Sequence, residues 1–356
     1  MFISNDKSYK MKTWLLYFYI SVSIISIFII VLLLSSSLSS SFDYRFFFKA
    51  AQAHSVTIPV RGTIPRGIAY NSANNNMYVA NLGSSTVSVI SGSTDSVIET
   101  ILVGRAPVWI AYAPPNNKLY VTNIDSDDVY VINGATNKVI KNIPVGNGPF
   151  GIAYNPSNNN VYVANAFDGT VSVINTSTDT VVSTIGLVNV VSPPPAITTP
   201  IFFAHYPANV AMYVGATGQV SVINSVSNAD VKDSPMPPPD QNSQAAGLAY
   251  NNNNNRVYVS VYDSNSVVRI NPDTNAFEGT GIPVGLAPVG IAYNPANKNM
   301  YVANSDSNTV SIIGSTNSVI ATIPTGLTPF GIAYNPTNQH IYLTNAGSNT
   351  VSVIHP

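Results

Sequence analysis

The chain has 356 residues, 45% of them hydrophobic and only 9% charged, with a net charge of −1 and no cysteine. That balance lacks the clustered Lys and Arg of a nucleic-acid footprint, so nucleic acid is not an expected partner. The missing cysteines exclude thiol catalysis, disulfides and cysteine-bound metal.

Residues 1–13 read as a short cytoplasmic tail, with Lys7, Lys10 and Lys12 against Asp6. Residues 14–34 carry no charge. At about 1.5 Å per helical residue the run spans a hydrocarbon core of roughly 30 Å. The preceding lysines predict an inside N-terminus, and Trp14, Tyr17, Phe18 and Tyr19 gather near one interface. Two readings stay open: an uncleaved transmembrane signal-anchor, or a signal peptide cleaved near Ala51-Gln52-Ala53, a small-residue pattern. Either way the rest is exported. The expected location is the cell surface, single-pass with the downstream domain outside, or secreted after cleavage. Residues 35–54 form a Ser-rich extracellular linker.

From residue 55 the sequence repeats. The unit at 288–326 shows the pattern: GIAY, MYVA, TVSII and SVIATI, separated by Asn-, Asp-, Ser-, Pro- and Gly-rich breaks. Short runs rich in Val, Ile, Thr and Tyr favour strands, and the breaks carry turn chemistry. MYVA is apolar on both faces, as in a strand covered on both sides. The second residue of GIAY recurs as Ile68, Ile110, Ile152, Phe203, Leu248, Ile291 and Ile332. A tyrosine follows in each unit, at 78, 120, 162, 213, 258, 301 and 342. Four strands per unit and a period near 42 predict propeller blades, seven in number. The last unit stops one strand short at VSVI (351–354), and SVTIPV (55–60) matches the missing strand. An N-terminal strand closing the last blade removes exposed edges.

The runs LYVTN (119–123) and MYVAN (300–304), with their TVSVI and TIPVG-like tails, resemble the YVTN-type β-propeller repeat family over residues 55–356. Such repeats occur in surface-layer and other cell-surface proteins, many of them archaeal. The resemblance implies an all-β, seven-bladed propeller of four-stranded blades, here preceded by one transmembrane helix. A WD40 reading fits less well, since Trp109 is the only tryptophan of the repeat region and no Trp-Asp pair occurs.

Blade four departs from the pattern. Phe202-Phe203-Ala204-His205-Tyr206-Pro207 replaces GIAYNP, between Pro-rich insertions at 191–200 and 234–244. Both insertions fall between an outer strand and the next inner strand, on one rim, where function or mere repeat drift can sit.

The four histidines form no paired motif, and no serine-hydrolase elbow or phosphate loop occurs. His205, at a tyrosine position, reads as a packed residue. Asp125, Asp127 and Asp128 share one loop, a weak candidate for Ca²⁺, which needs several oxygen ligands; no other cofactor is expected. Asn175 opens an N-glycosylation sequon or a plain turn. The glycine that opens the inner strand becomes Trp109 in blade two and Phe202 in blade four, with Arg66 and Arg105 nearby in the pattern. These four are the candidate ligand-binding residues of the channel mouth and rim, or the two aromatics plug the channel. The asparagines 81, 123, 165, 304 and 345 read as turn-makers.

With an export anchor and no catalytic constellation, the sequence points to a non-enzymatic binding, adhesion or envelope module. Its expected partners are an envelope protein, peptide or glycan, the membrane through its helix, and copies of itself in a lattice. The alternative is a propeller enzyme of lactonase or lyase type, acting at the channel mouth.

Overall fold

The computed structural model describes residues 55–187, 200–208, 211–237 and 243–356. The tail, the apolar run, the linker, nearly all of the first Pro-rich insertion and residues 238–242 of the second lie outside them. Among the described residues no helix is long and apolar enough to cross a membrane.

Seven four-stranded antiparallel sheets follow one another, each in simple inner-to-outer order. Blade six shows the plan: inner Pro288–Asn294, second Asn299–Asn304, third Thr309–Ile313 and outer Val319–Pro324. The second strand is buried on both faces, as its unbroken apolar run predicts. The outer strand is mostly exposed and buries only Ile323. The core therefore lies between blades. One cluster joins Ile58, Val351 and Val353 of blade seven to Ile68, Met77, Val79 and Ile90 of blade one.

Blade seven takes its outer strand, Ser55–Pro59, from the other end of the repeat region. It pairs with Thr350–Ile354, Ser55 opposite Ile354. The ring is thus closed by strand addition, and a free sheet edge is avoided.

Asn81, Asn165, Asn304 and Asn345 do more than make turns. Each is fully buried, and each amide bonds two hydroxyls of its own third strand, as Asn304 does to Thr309 and Ser311. Asn123 uses Asp128 instead.

The blades are tied at their other end by tyrosines. The Tyr78 hydroxyl donates to Asn137 Oδ1 at 2.6 Å, across the seam to blade two. Tyr120 donates to Asp179 (2.7 Å), Tyr162 to Asn228 (2.8 Å), Tyr258 to Asn317 (2.5 Å) and Tyr342 to Asp95 (2.5 Å). Tyr213 donates to Asn275. Each acceptor closes the turn between third and outer strands in the left-handed conformation, which Asn and Asp tolerate.

Candidate functional site at the channel mouth

The inner strands open at the channel mouth, with a glycine in five blades. The reason is contact. A Cβ on Gly151 would lie 1.7 Å from the Ile201 carbonyl oxygen, and one on Gly331 2.2 Å from that of Arg66. Neighbouring inner strands touch backbone to backbone there.

Blades two and four break the rule. Trp109 pairs with Thr122, whose hydroxyl donates to the Phe150 carbonyl of the next blade at 2.6 Å. Phe202 pairs with Gly215. Here the small residue has moved across the ladder: a Cβ on Gly215 would meet Leu248 and the Ala245 carbonyl.

The two freed side chains meet. Their ring centroids are 4.6 Å apart, edge to face. Phe330 of blade seven lies 6.1 Å from Trp109, and Phe150 lies 5.6 Å from Phe202. Such geometry suits the aromatic quadrupoles. Trp109 and Phe202 also line an axial cavity of about 150 Å³, otherwise walled by apolar residues such as Ile68, Phe203 and Ile291. A cavity of that size holds one compact group, about a benzene ring, against apolar side chains and inner-strand backbone.

Arg66 lies over this cluster, its guanidinium carbon 4.1 Å from the Phe330 centroid. Its Nε is buried and unbonded. Among the described residues it has no carboxylate partner. Burial pulls its pKa below the ordinary value, and the nearby Tyr262 phenol opposes that in part. Tyr262, 38% exposed, follows the second strand of blade five (Arg256–Val261). So Arg66, Trp109 and Phe202 come together, as the sequence suggests. Phe150 and Phe330 join them unforeseen, and the Tyr262 phenol is near enough to act on the Arg66 charge. Only the alignment of each residue that precedes an inner-strand glycine could have found the two phenylalanines.

Arg105 stands apart on the rim, donating to the Asp125 carbonyl oxygen at 2.7 Å. Asp127 accepts the Gly148 amide, and Asp128 accepts Asn123 and Ser126. No group of three or more acidic or His side chains able to hold a metal occurs among the described residues. Asn175 caps its turn by accepting the Ser177 and Thr178 amides. His205 is only half-buried, 3.0 Å from the Ser157 hydroxyl, with burial lowering its pKa.

Blade four holds a second unusual group. Where blades one, three, six and seven have Asn, Thr and Ser, it has Ala216, Gln219 and Ser221. Ser221 and Gln219 donate to the Asp233 carboxylate at 2.5 and 3.0 Å. Burial, with the Asp230 charge adding, pushes Asp233 up to about 6 against the Ser221 bond.

No family model matches the chain, and no curated protein does. Of the YVTN-type resemblance, the fold is therefore what stands. Among solved structures the chain is similar to a Kuenenia stuttgartiensis hydrazine synthase chain, at 20% identity and TM-score 0.71, covering 84% of this chain and 97% of that one. It is similar to a streptogramin B lyase at 12% identity and TM-score 0.71, covering 85% and 97%. Virginiamycin B lyase from Staphylococcus aureus follows at 15% identity and TM-score 0.72, covering 86% and 100%. A catalytically inactive variant of that lyase was solved with quinupristin. At these identities the likeness is one of fold: an all-β, seven-bladed propeller with four-stranded blades. It corrects the expectation of a non-enzymatic module. The propellers just named, matched over nearly their whole length, are enzymes by name, which favours the alternative reading.

Proposed function

We propose that the protein is a propeller enzyme of lyase or lactonase type, working at the channel mouth. The observation that carries this is Arg66: a half-buried guanidinium without a carboxylate partner among the described residues, held over the Phe330 ring of the aromatic cluster at the channel mouth. Opening a cyclic ester by either route builds negative charge on an acyl oxygen. A fixed cation in a water-poor site stabilises that charge strongly. Trp109, Phe202 and Phe330 would seat a compact apolar group of the substrate. Arg66 would hold the acyl oxygen, and the Tyr262 phenol would move the proton. The apolar run at 14–34 supports placing this activity outside the membrane.

The test is incubation with a panel of lactones and cyclic depsipeptides, read by mass spectrometry. A lyase product keeps the substrate's mass; a lactonase product gains one water. Turnover of either kind should fall about 10²-fold or more in Arg66→Ala, with Tyr262→Phe losing kcat more than KM. Unchanged turnover in Arg66→Ala, or none with any cyclic ester, refutes the proposal.

A further inference from the structure

Six of the seven seams between blades end in the same bond, from a buried second-strand tyrosine to an Asn or Asp of the next blade's turn. Beside it, an asparagine amide usually bonds a carbonyl of that turn: Asn74 to Gly134, Asn116 to Thr176, Asn158 to Ser225, Asn338 to Gly92. Among the described residues the seam between blades six and seven has neither acceptor. Blade seven draws its outer strand from Ser55–Pro59, so no turn joins that strand to the third strand, which ends at Ile354.

What remains is a cavity of about 220 Å³ lined by Asn294, Asn297, Asn338, His340 and His355, among others. Asn297 and Asn338 are hydrogen-bonded, but three polar atoms of the lining lack good partners. Asn294 is 1% exposed, and its Nδ2 has only the Tyr301 hydroxyl beside it, without a well-formed hydrogen bond; His340 Nδ1 and His355 Nε2, buried atoms on half-buried rings, make none. The two imidazoles lie 3.9 Å apart, centroid to centroid. Tyr301, also 1% exposed, sits one bond behind the lining. Its hydroxyl accepts from Asn297 at 2.8 Å, and no acceptor for its proton occurs among the described residues. Buried polar groups without partners are costly. Three at one cavity mark a place for a ligand that brings acceptors.

We infer that this seam is a binding site for a small carboxylate. The sister seams give the chemistry: in two of them the tyrosine is met by a carboxylate, Asp179 or Asp95. A free carboxylate would replace the missing Asp, taking hydrogen bonds from the Asn294 and Asn297 amides and from the imidazoles. The site is separate from the channel mouth, since the two cavities share no lining residue.

The experiment is NMR of the full chain with labelled histidines, titrated with succinate, with His205 as internal control. Succinate should shift His340 and His355 and leave His205 in place. Asn294→Asp keeps the shape and sets a like charge in the cavity, so binding should be lost. Tyr301→Phe, which frees the Asn297 amide behind the lining, should change the affinity, and Tyr258→Phe, at a filled seam, should not. Silence of His340 and His355 at millimolar succinate overturns the inference. So does full-strength binding to Asn294→Asp. Binding seen only after residues 1–54 are removed overturns it too, because the cavity would then belong to the chain's own leading segment.

Discussion

Ile58 tests the closure of the ring. It is 3% exposed, packed between Val351 and Val353 of its own blade and Ile68, Met77, Val79 and Ile90 of the next. Truncation to alanine in a packed core leaves a cavity and costs about 3 kcal/mol. The unfolding entropy of a unit of about 300 residues is about 0.6 kcal/mol/K, so Tm should fall by about 5 °C. Ile143, at the matching place in blade two, is 4% exposed and sits on an outer strand joined to its sheet by a short turn. Ile143→Ala should cost the same. Thr57→Ala, on the exposed face of the closing strand, should move Tm by less than about 1 °C, within the usual range of surface changes. Scanning calorimetry on the three variants decides. If Ile58→Ala behaves like Thr57→Ala while Ile143→Ala loses its 5 °C, strand 55–59 is not docked and the argument from burial fails.

Tyr120→Phe removes a hydroxyl bonded to a carboxylate that Lys118 also holds at 2.7 Å. It should cost about 2 kcal/mol, or about 3 °C, whereas Tyr301→Phe, whose hydroxyl donates to no described group, should cost under about 1 °C; equal losses in calorimetry would refute the seam analysis. Asp233 has its pKa raised from 3.8 to about 6, so the folded state holds this proton more tightly than the unfolded state. The resulting stability is fully present below about pH 4 and is lost as pH rises through 6. Asp233→Asn should flatten that decline in urea midpoints, by about 1 kcal/mol at pH 7 once solvent screening of a half-exposed carboxyl is allowed for; an unchanged slope would refute it. Gly151→Ala drives a methyl into the Ile201 carbonyl, while a Cβ on Gly186 meets nothing within 4 Å. The first should unfold at clearly lower denaturant and the second within about 0.5 kcal/mol of the parent.

The fold was open to the eye because its physics repeats. Seven Ile, Leu or Phe positions at a period near 42, and strands apolar on both faces, leave little but stacked blades. The closing strand was legible too, since SVTIPV carries the fourth-strand pattern away from its unit. The contacts across seams were not. Tyr78 and Asn137 belong to different blades and are 59 residues apart, and each alone reads as a core aromatic and a turn residue. The mouth was half legible: Trp109 and Phe202 stand out as broken glycines, but Phe330 and Phe150 sit at a position whose residue varies from blade to blade. Arg66 gave no sign that its charge would lie over Phe330, because that contact bridges the last blade and the first.

Residues that recur in most blades are already committed. The Asn81-type amides saturate the third-strand hydroxyls, the tyrosines tie the seams, and the inner-strand glycines let backbones touch; changing any of them strikes the scaffold. Chemistry is therefore sought where the repeat lapses and the scaffold has been adjusted to allow it. Phe202 is tolerated because Gly215 opposite it gave up its side chain. Trp109 is tolerated beside Thr122, which still bonds the next blade. Ser221 is released from the asparagine that binds its counterparts, because position 216 is alanine, and it turns instead to Asp233. Where Asn71 and Asn335 donate to Asn117 and Asn75 of the next blade, blade seven has Gln339, and beside it Asn294, His340 and His355 lack well-formed acceptors. Each lapse exposes a group that its sister blades keep satisfied, and each gives a variant that can alter binding or turnover while the other blades hold the fold.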